Sequence, residues 1–113
     1  MSNKNKIIRL ELIKIYGKIC FLGEPLTKEN YITLHHIIAE RNKGKTNIEN
    51  GALLSLFMHQ DLHFIEHWYY GEYDYLNEYL KYYKETQDQI EKQRMNAYVK
   101  KLTREIKIDK ARK

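Results

Sequence analysis

The chain has 113 residues, of which 42% are hydrophobic and 31% charged, which is enough apolar material for one small folded domain and too much for a disordered chain. Its longest apolar stretch, residues 52–58, is far shorter than the roughly 20 residues that cross a bilayer, so no membrane-spanning segment is expected. The single cysteine, Cys20, excludes an internal disulfide and a zinc site built from cysteine pairs, and we expect a cytoplasmic protein.

The net charge of +5 is unevenly distributed along the chain. From residue 92 onward, nine lysines and arginines stand against two acidic residues, a net charge of +7, which leaves −2 for residues 1–91. A basic tail on a nearly neutral body favours binding to a polyanion through the release of counterions. The alternative is a solvated helix end, and charge alone does not separate the two.

The first predicted element is a helix over residues 7–16, where apolar side chains recur at helical spacing and Gly17 offers an end. Residues 19–22 are predicted as a short strand and residues 23–25 as a turn. The β-branched and aromatic residues of 31–38 predict a second strand. Together these segments predict a β-hairpin.

Residues 41–49 are polar, which predicts a loop. Asn50 then stands where a helix N-cap would stand, directly before the apolar residues 52–57. A helix is therefore predicted from this point to residue 68 or 69.

Two apolar stripes predict helices in the last third of the chain. One is rich in tyrosine and comprises Tyr69, Tyr73, Leu76, Tyr79, Leu80 and Tyr83. The other predicts a long, basic, amphipathic terminal helix and comprises Ile90, Tyr98, Leu102 and Ile106, with a break near residues 84–87. The second stripe must be buried against the body or against a second copy, so a homodimer through the C-terminal helices is one prediction.

All five histidines lie between positions 35 and 67. His59, His63 and His67 recur every four residues and share one face of a helix, where two neutral imidazoles can bind one divalent metal ion. Neighbouring residues of a strand point to opposite faces, so if one of His35 and His36 faces the metal, the other is held close to it but is directed elsewhere, where a general base would be needed. The alternative is that these are half-buried surface histidines without a ligand.

In their order and spacing, five residues resemble the His-Asn-His (HNH) nuclease motif, especially that of colicin-type DNases: His35, His36, Asn50, His59 and His63. The match covers residues 7–66. The resemblance implies an α+β fold with a small ββα-metal (HNH) core and an N-terminal helix in residues 1–70. A long helical extension, residues 71–113, would belong to the same domain or form an arm for assembly or DNA binding.

The resemblance also implies roles for these residues. His35, His59 and His63 would hold one divalent metal ion (Mg, Mn, Ni, Co or Zn), His36 would be the general base that activates water, and Asn50 would fix the loop through backbone hydrogen bonds. The implied activity is hydrolysis of DNA phosphodiester bonds to 3′-hydroxyl and 5′-phosphate ends. Candidates to bind the DNA backbone are Arg41, Lys43 and Lys45 in the loop and Lys100, Lys101 and Arg104 in the tail.

The sequence departs from the family in two places. Residues 20–23 read Cys-Phe-Leu-Gly where many relatives have a cysteine pair, so a structural zinc is not supported, and a double glycine of the loop is reduced to the single Gly44. The alternative function is a catalytically inactive HNH-fold module that binds nucleic acid or protein, such as a phage or mobile-element factor. A tyrosine-rich assembly factor would explain the tail but not the histidine spacing.

Overall fold

The computed structural model describes residues 3–111, which form four helices and a two-stranded antiparallel sheet. The α+β class predicted from the sequence is confirmed. No helix within these residues could span a membrane. In chain order the elements are α1 (Asn3–Tyr16), β1 (Ile32–His36), a 3-10 turn (Glu40–Asn42), β2 (Gly51–Ser55), α2 (Leu56–Trp68), α3 (Tyr70–Thr86) and α4 (Gln89–Ala111).

Strand β1 pairs with β2, and in this register His35 lies opposite Ala52 and His36 opposite Gly51. The predicted hairpin between residues 19–22 and 31–38 is therefore wrong in its first strand. Residues 19–22 form no strand. Phe21 and Leu22 form a turn, and their side chains are buried in the core. The backbone N–H of Phe21 donates one hydrogen bond, at 2.8 Å, to the carbonyl oxygen of Leu53. Burial of the apolar side chains, rather than a ladder of backbone hydrogen bonds, holds this segment.

The helix predicted to begin at Asn50 begins at Leu56 instead. Residues 51–55 form β2, which is buried along its whole length, and a short apolar run of this kind has the same pattern in a buried strand and a buried helix. The true N-cap of α2 is Ser55, whose hydroxyl accepts a hydrogen bond from the backbone N–H of Met58 at 3.2 Å. The predicted end of this helix at residue 68 is confirmed.

The break predicted near residues 84–87 is confirmed at Gln87, which has a left-handed φ of 50° between α3 and α4. Both helices pack against the rest of the chain. Their buried side chains join the same core as those of α1, β2 and α2, and they include Leu76, Leu80, Tyr83, Met95, Val99, Leu102 and Ile106. The apolar stripe of α4 is therefore mostly covered by the chain itself, although Ile90 is 76% exposed.

Candidate metal centre

Three histidines come together where the sheet meets α2. His35 is on β1, and His59 and His63 lie one turn apart on α2, which begins directly after β2. One ring nitrogen from each lies within 4.8 Å of the others. The cluster runs from the interior to the surface, because His35 is 1% exposed whereas the side chain of His63 is 49% exposed. A ligand could therefore reach it from the His63 side.

The spacing of these nitrogens fits one metal ion once the rings have moved closer together. Two nitrogens bound to one tetrahedral zinc ion at about 2.1 Å lie about 3.4 Å apart. The most widely spaced nitrogens, which are within 4.8 Å of each other, must therefore approach by about an ångström, and the half-exposed ring of His63 has room to rotate. The donor set is all imidazole, which suits zinc, nickel and cobalt better than magnesium.

The hydrogen bond between Thr33 and His59 determines which nitrogen of His59 is free. The single hydroxyl proton of Thr33 is donated to the carbonyl oxygen of Leu54, at 2.7 Å. The same oxygen lies 2.8 Å from Nδ1 of His59, so it must accept the Nδ1–H proton. Nε2 of His59 then keeps its lone pair for a metal.

The other two histidines are held in the same way by groups that only accept. Nε2 of His35 lies 2.8 Å from Oδ1 of Asn77, and Nδ1 of His63 lies 3.0 Å from Oε1 of Glu66. Each of these nitrogens must carry the proton, which leaves Nδ1 of His35 and Nε2 of His63 with free lone pairs. Such outer hydrogen bonds are what fix the orientation of metal-binding histidines in proteins.

Burial keeps the inner histidines neutral. It lowers the pKa of His35 to about 3, against a smaller upward effect of the Asn77 hydrogen bond, and it lowers the pKa of His59 to about 4, with a further contribution from His63. Burial alone would raise the pKa of Glu66, but hydrogen bonds from His63 and Arg41 lower it below its usual value. At neutral pH His35 and His59 are therefore uncharged, and the carboxylate of Glu66 beside the cluster is ionised.

His36 does not join the cluster. It follows His35 on β1 and points to the opposite side, where its Nε2 lies 3.0 Å from the hydroxyl oxygen of Thr46 and 3.6 Å from a carboxylate oxygen of Glu40. The ring contacts the loop between the strands, so it lies next to the histidine cluster but is directed elsewhere.

Asn50 has the backbone hydrogen bonds that a positioning role requires. Its side-chain oxygen accepts from the N–H of Ile38 at 2.8 Å, and its side-chain nitrogen donates to the carbonyl oxygens of Ile38 and Lys45 at 2.9 and 2.8 Å. Three bonds from one amide thus join the two ends of the loop that carries Thr46. The side chain of Asn50 closes this loop rather than taking part in the histidine cluster.

One glycine is enough for the loop. A Cβ atom on Gly44 would lie 1.7 Å from the carbonyl oxygen of Ile38, so any other residue would displace the backbone there. The left-handed position of the loop is occupied by Lys43, with φ of 68°. A double glycine is therefore not needed for this conformation.

The loop and tail cations lie in different places. Arg41 forms an ion pair with Glu66, the carboxylate that holds His63, while Lys43 and Lys45 are exposed on the loop. Helix α4 packs against the side of α2 that carries Phe64 and Trp68, which points away from His59 and His63. The structure therefore brings Arg41, but not the tail residues, next to the histidine cluster: Lys100 pairs with Glu24 at 2.7 Å, and Lys101 and Arg104 are exposed.

His67, the third histidine of the helical series, is exposed and packs edge-on against Trp68, with 4.7 Å between the ring centroids. It is not part of the cluster of His35, His59 and His63.

Three residues that form hydrogen bonds with the histidines of the cluster were not identified from the sequence. Glu66 stands three residues after His63 on a helix, and Thr33 stands two residues before His35 on a strand. Both spacings place the two side chains on one face of their element, so these acceptors could have been predicted from their positions. Asn77 lies 42 residues from His35, and no local pattern connects the two.

Searches against protein-family models, curated proteins and solved structures found no match to this chain.

Proposed function

We propose that this chain is a metal-dependent endonuclease of the HNH type that hydrolyses DNA phosphodiester bonds to 3′-hydroxyl and 5′-phosphate ends. The observation that carries the proposal is the cluster of His35, His59 and His63. In each of these histidines one ring nitrogen is hydrogen-bonded to an acceptor, which leaves the other nitrogen free for a metal ion. A hairpin followed directly by a helix supplies the ligands, which is the order of elements that a ββα-metal unit has. His36 and Asn50 occupy the further positions of the motif.

A bound divalent ion would polarise the phosphate and stabilise the departing 3′-oxygen. The chain itself supplies the remaining groups. Nε2 of His36 faces both the hydroxyl of Thr46 and a carboxylate oxygen of Glu40, and with the ring proton on Nε2, Nδ1 would accept the proton of the attacking water. Asn50 holds the loop that carries Thr46, and Arg41, Lys43 and Lys45 supply positive charge for the DNA backbone.

One observation favours a second candidate, a metal-stabilised module that binds nucleic acid or protein without cutting it. The hydrogen bond from His36 to Thr46 would also serve a purely structural loop, and in that case His36 would have no chemical role. The two candidates differ in one measurable property, because only the nuclease breaks the DNA chain.

The test incubates the purified protein with supercoiled plasmid and, separately, Mg, Mn, Ni, Co or Zn, with EDTA as the metal-free arm. We expect nicked product in at least one metal arm and none with EDTA. His63→Asn should remove the activity, whereas the matched control His67→Asn, four residues further along the same helix, should retain it. The new 5′ ends should be labelled by a kinase only after phosphatase treatment.

Metal binding measured by calorimetry on the same preparation separates the two candidates. A chain that binds metal through His63 but cuts DNA with none of the ions would overturn the nuclease proposal in favour of the binding module. Cutting that survives both EDTA and His63→Asn would show that the activity does not use this cluster.

A further inference from the structure

An unbroken path of aromatic rings leads from the histidine cluster to the surface. The ring of Tyr73 lies 6.1 Å from that of His63, and the ring of Tyr70 lies 5.9 Å from that of Tyr73. Tyr73 is 4% exposed, but Tyr70, at the start of α3, is 55% exposed. Tyr70 therefore packs on a fixed, buried neighbour and presents the rest of its ring to solvent beside the candidate metal centre.

Arg41 brings a fixed positive charge to the same place. Its guanidinium pairs with one oxygen of Glu66, whose other oxygen holds His63. A guanidinium has five N–H donors, and the pair with Glu66 uses only some of them. The side chain of Arg41 is 60% exposed, and its partner Glu66 lines one surface cavity together with Tyr70 and Tyr73. An exposed aromatic ring and an anchored cation thus stand together next to the cluster.

We infer that Tyr70 and Arg41 form a nucleotide subsite that takes an unpaired base of the DNA strand held at the histidine cluster, with Tyr70 stacking on the base and Arg41 binding the adjacent phosphate. This inference rests on the proposed function and names its substrate class. Aromatic stacking on bases together with cationic contact to the backbone is how proteins bind single strands.

The distances set where on the strand this subsite acts. The two centroid distances, 6.1 Å from His63 to Tyr73 and 5.9 Å from Tyr73 to Tyr70, place the ring of Tyr70 at most about 12 Å from that of His63. A stacked strand advances about 3.4 Å per nucleotide, so the bound base is within about four nucleotides of the cut. In a regular duplex the faces of the bases are covered by their neighbours. Only a base that is unpaired or turned out of the stack can lie on Tyr70. The preferred substrate is therefore a single strand, a flap or a mismatch.

The test measures binding without cleavage, in EDTA, with the fluorescent base 2-aminopurine placed either unpaired opposite an abasic site or within an intact duplex. We expect the unpaired DNA to bind about fivefold to a hundredfold more tightly, with quenching of its fluorescence. Tyr70→Ala should abolish both the preference and the quenching. Tyr70→Trp, which keeps an aromatic face, should retain them.

The matched control is Tyr75→Ala, because Tyr75 is on the same helix and 53% exposed but packs against Tyr98 of α4. A preference that survives Tyr70→Ala, or that Tyr75→Ala removes equally, would overturn the inference. Equal cutting of paired and unpaired DNA would remove the subsite and leave the nuclease proposal standing. Preferential binding through Tyr70 without cutting in any metal arm would keep the subsite and remove the nuclease proposal.

Discussion

The ammonium group of Lys84 lies 2.6 Å from the carbonyl oxygen of Gly51 and donates a hydrogen bond to it. It also contacts the carbonyl oxygen of Ile48 and, at 2.9 Å, that of Glu49. One half-buried side chain of α3 thus holds the backbone on both sides of Asn50. Lys84 therefore supports the backbone of Asn50, which closes the loop that carries Thr46, the hydrogen-bond partner of His36.

Lys84→Met should therefore lower the free energy of unfolding by about 1–3 kcal/mol, since it leaves partly buried carbonyl oxygens without a donor. Urea denaturation measures this effect. The matched control is Lys81→Met, which removes an exposed lysine of the same helix and should change stability by less than about 0.5 kcal/mol. Equal effects of the two substitutions would show that the contacts of Lys84 contribute nothing specific.

His36→Ala should abolish DNA cleavage while metal affinity stays nearly unchanged, because His36 points away from the cluster and is not a ligand. Metal affinity and nicking rate are measured on one preparation. Thr46→Val, which removes only the hydroxyl contact to the ring, should reduce the rate by less. A fully active His36→Ala variant would contradict the assignment of the general base.

His59→Ala or His63→Ala should weaken metal binding and remove the thermal stabilisation that the metal gives, because an ion that binds only the folded state adds to its stability. The measurements are calorimetric titration and Tm with and without metal. His67→Ala is the control, and it should leave both quantities unchanged, since His67 packs on Trp68 outside the cluster. If it reduced affinity as much as His63→Ala, the ligand set would have to be revised.

The stability of the metal-free protein should fall as the pH drops from about 6.5 to about 4. Burial lowers the pKa of His35 to about 3 and that of His59 to about 4, both from an ordinary value of 6.5, so in this range the unfolded chain binds protons that the folded chain does not. Near pH 5 the slope of the free energy of unfolding against pH should correspond to about two protons that the unfolded chain binds at these two histidines and the folded chain does not. His59→Gln should reduce the slope by about one proton, and an unchanged slope would contradict the prediction.

The tail cations are best tested by charge substitution, because removal of α4 would also remove the core residues Val99 and Ile106. Replacing the exposed residues Lys101 and Arg104 with glutamine should weaken DNA binding uniformly across sequences. It should also reduce the slope of log affinity against log salt concentration by up to about two. Circular dichroism checks that the fold is retained. If the affinity and its salt dependence were unchanged, this face of α4 would not be part of the DNA-binding surface.

The sequence predicted best the features that depend on local spacing. The stripes of α3 and α4 and the break at Gln87 follow from helical periodicity, and the series of histidines on α2 follows from its four-residue repeat. The strand β2 was predicted as the start of a helix, because a five-residue buried run carries no period that separates the two.

The sequence could not predict contacts between residues that only the tertiary fold brings together. Asn77 reaches His35 across 42 residues, and Lys84 reaches Gly51 across 33. Neither residue stands in a motif. Their roles depend on how α3 packs against α2, and one sequence gives no measure of that packing.

These long-range contacts also determine when the centre can form. His35, His59 and His63 all precede α3 in the chain, whereas Asn77 and Lys84 lie within it. During synthesis the three histidines therefore leave the ribosome before Asn77, which orients the ring of His35, and before Lys84, which holds the backbone beside Asn50. The centre reaches its final geometry only after α3 has been made and has docked, so an incomplete chain carries the ligands without the fixed arrangement in which they would work.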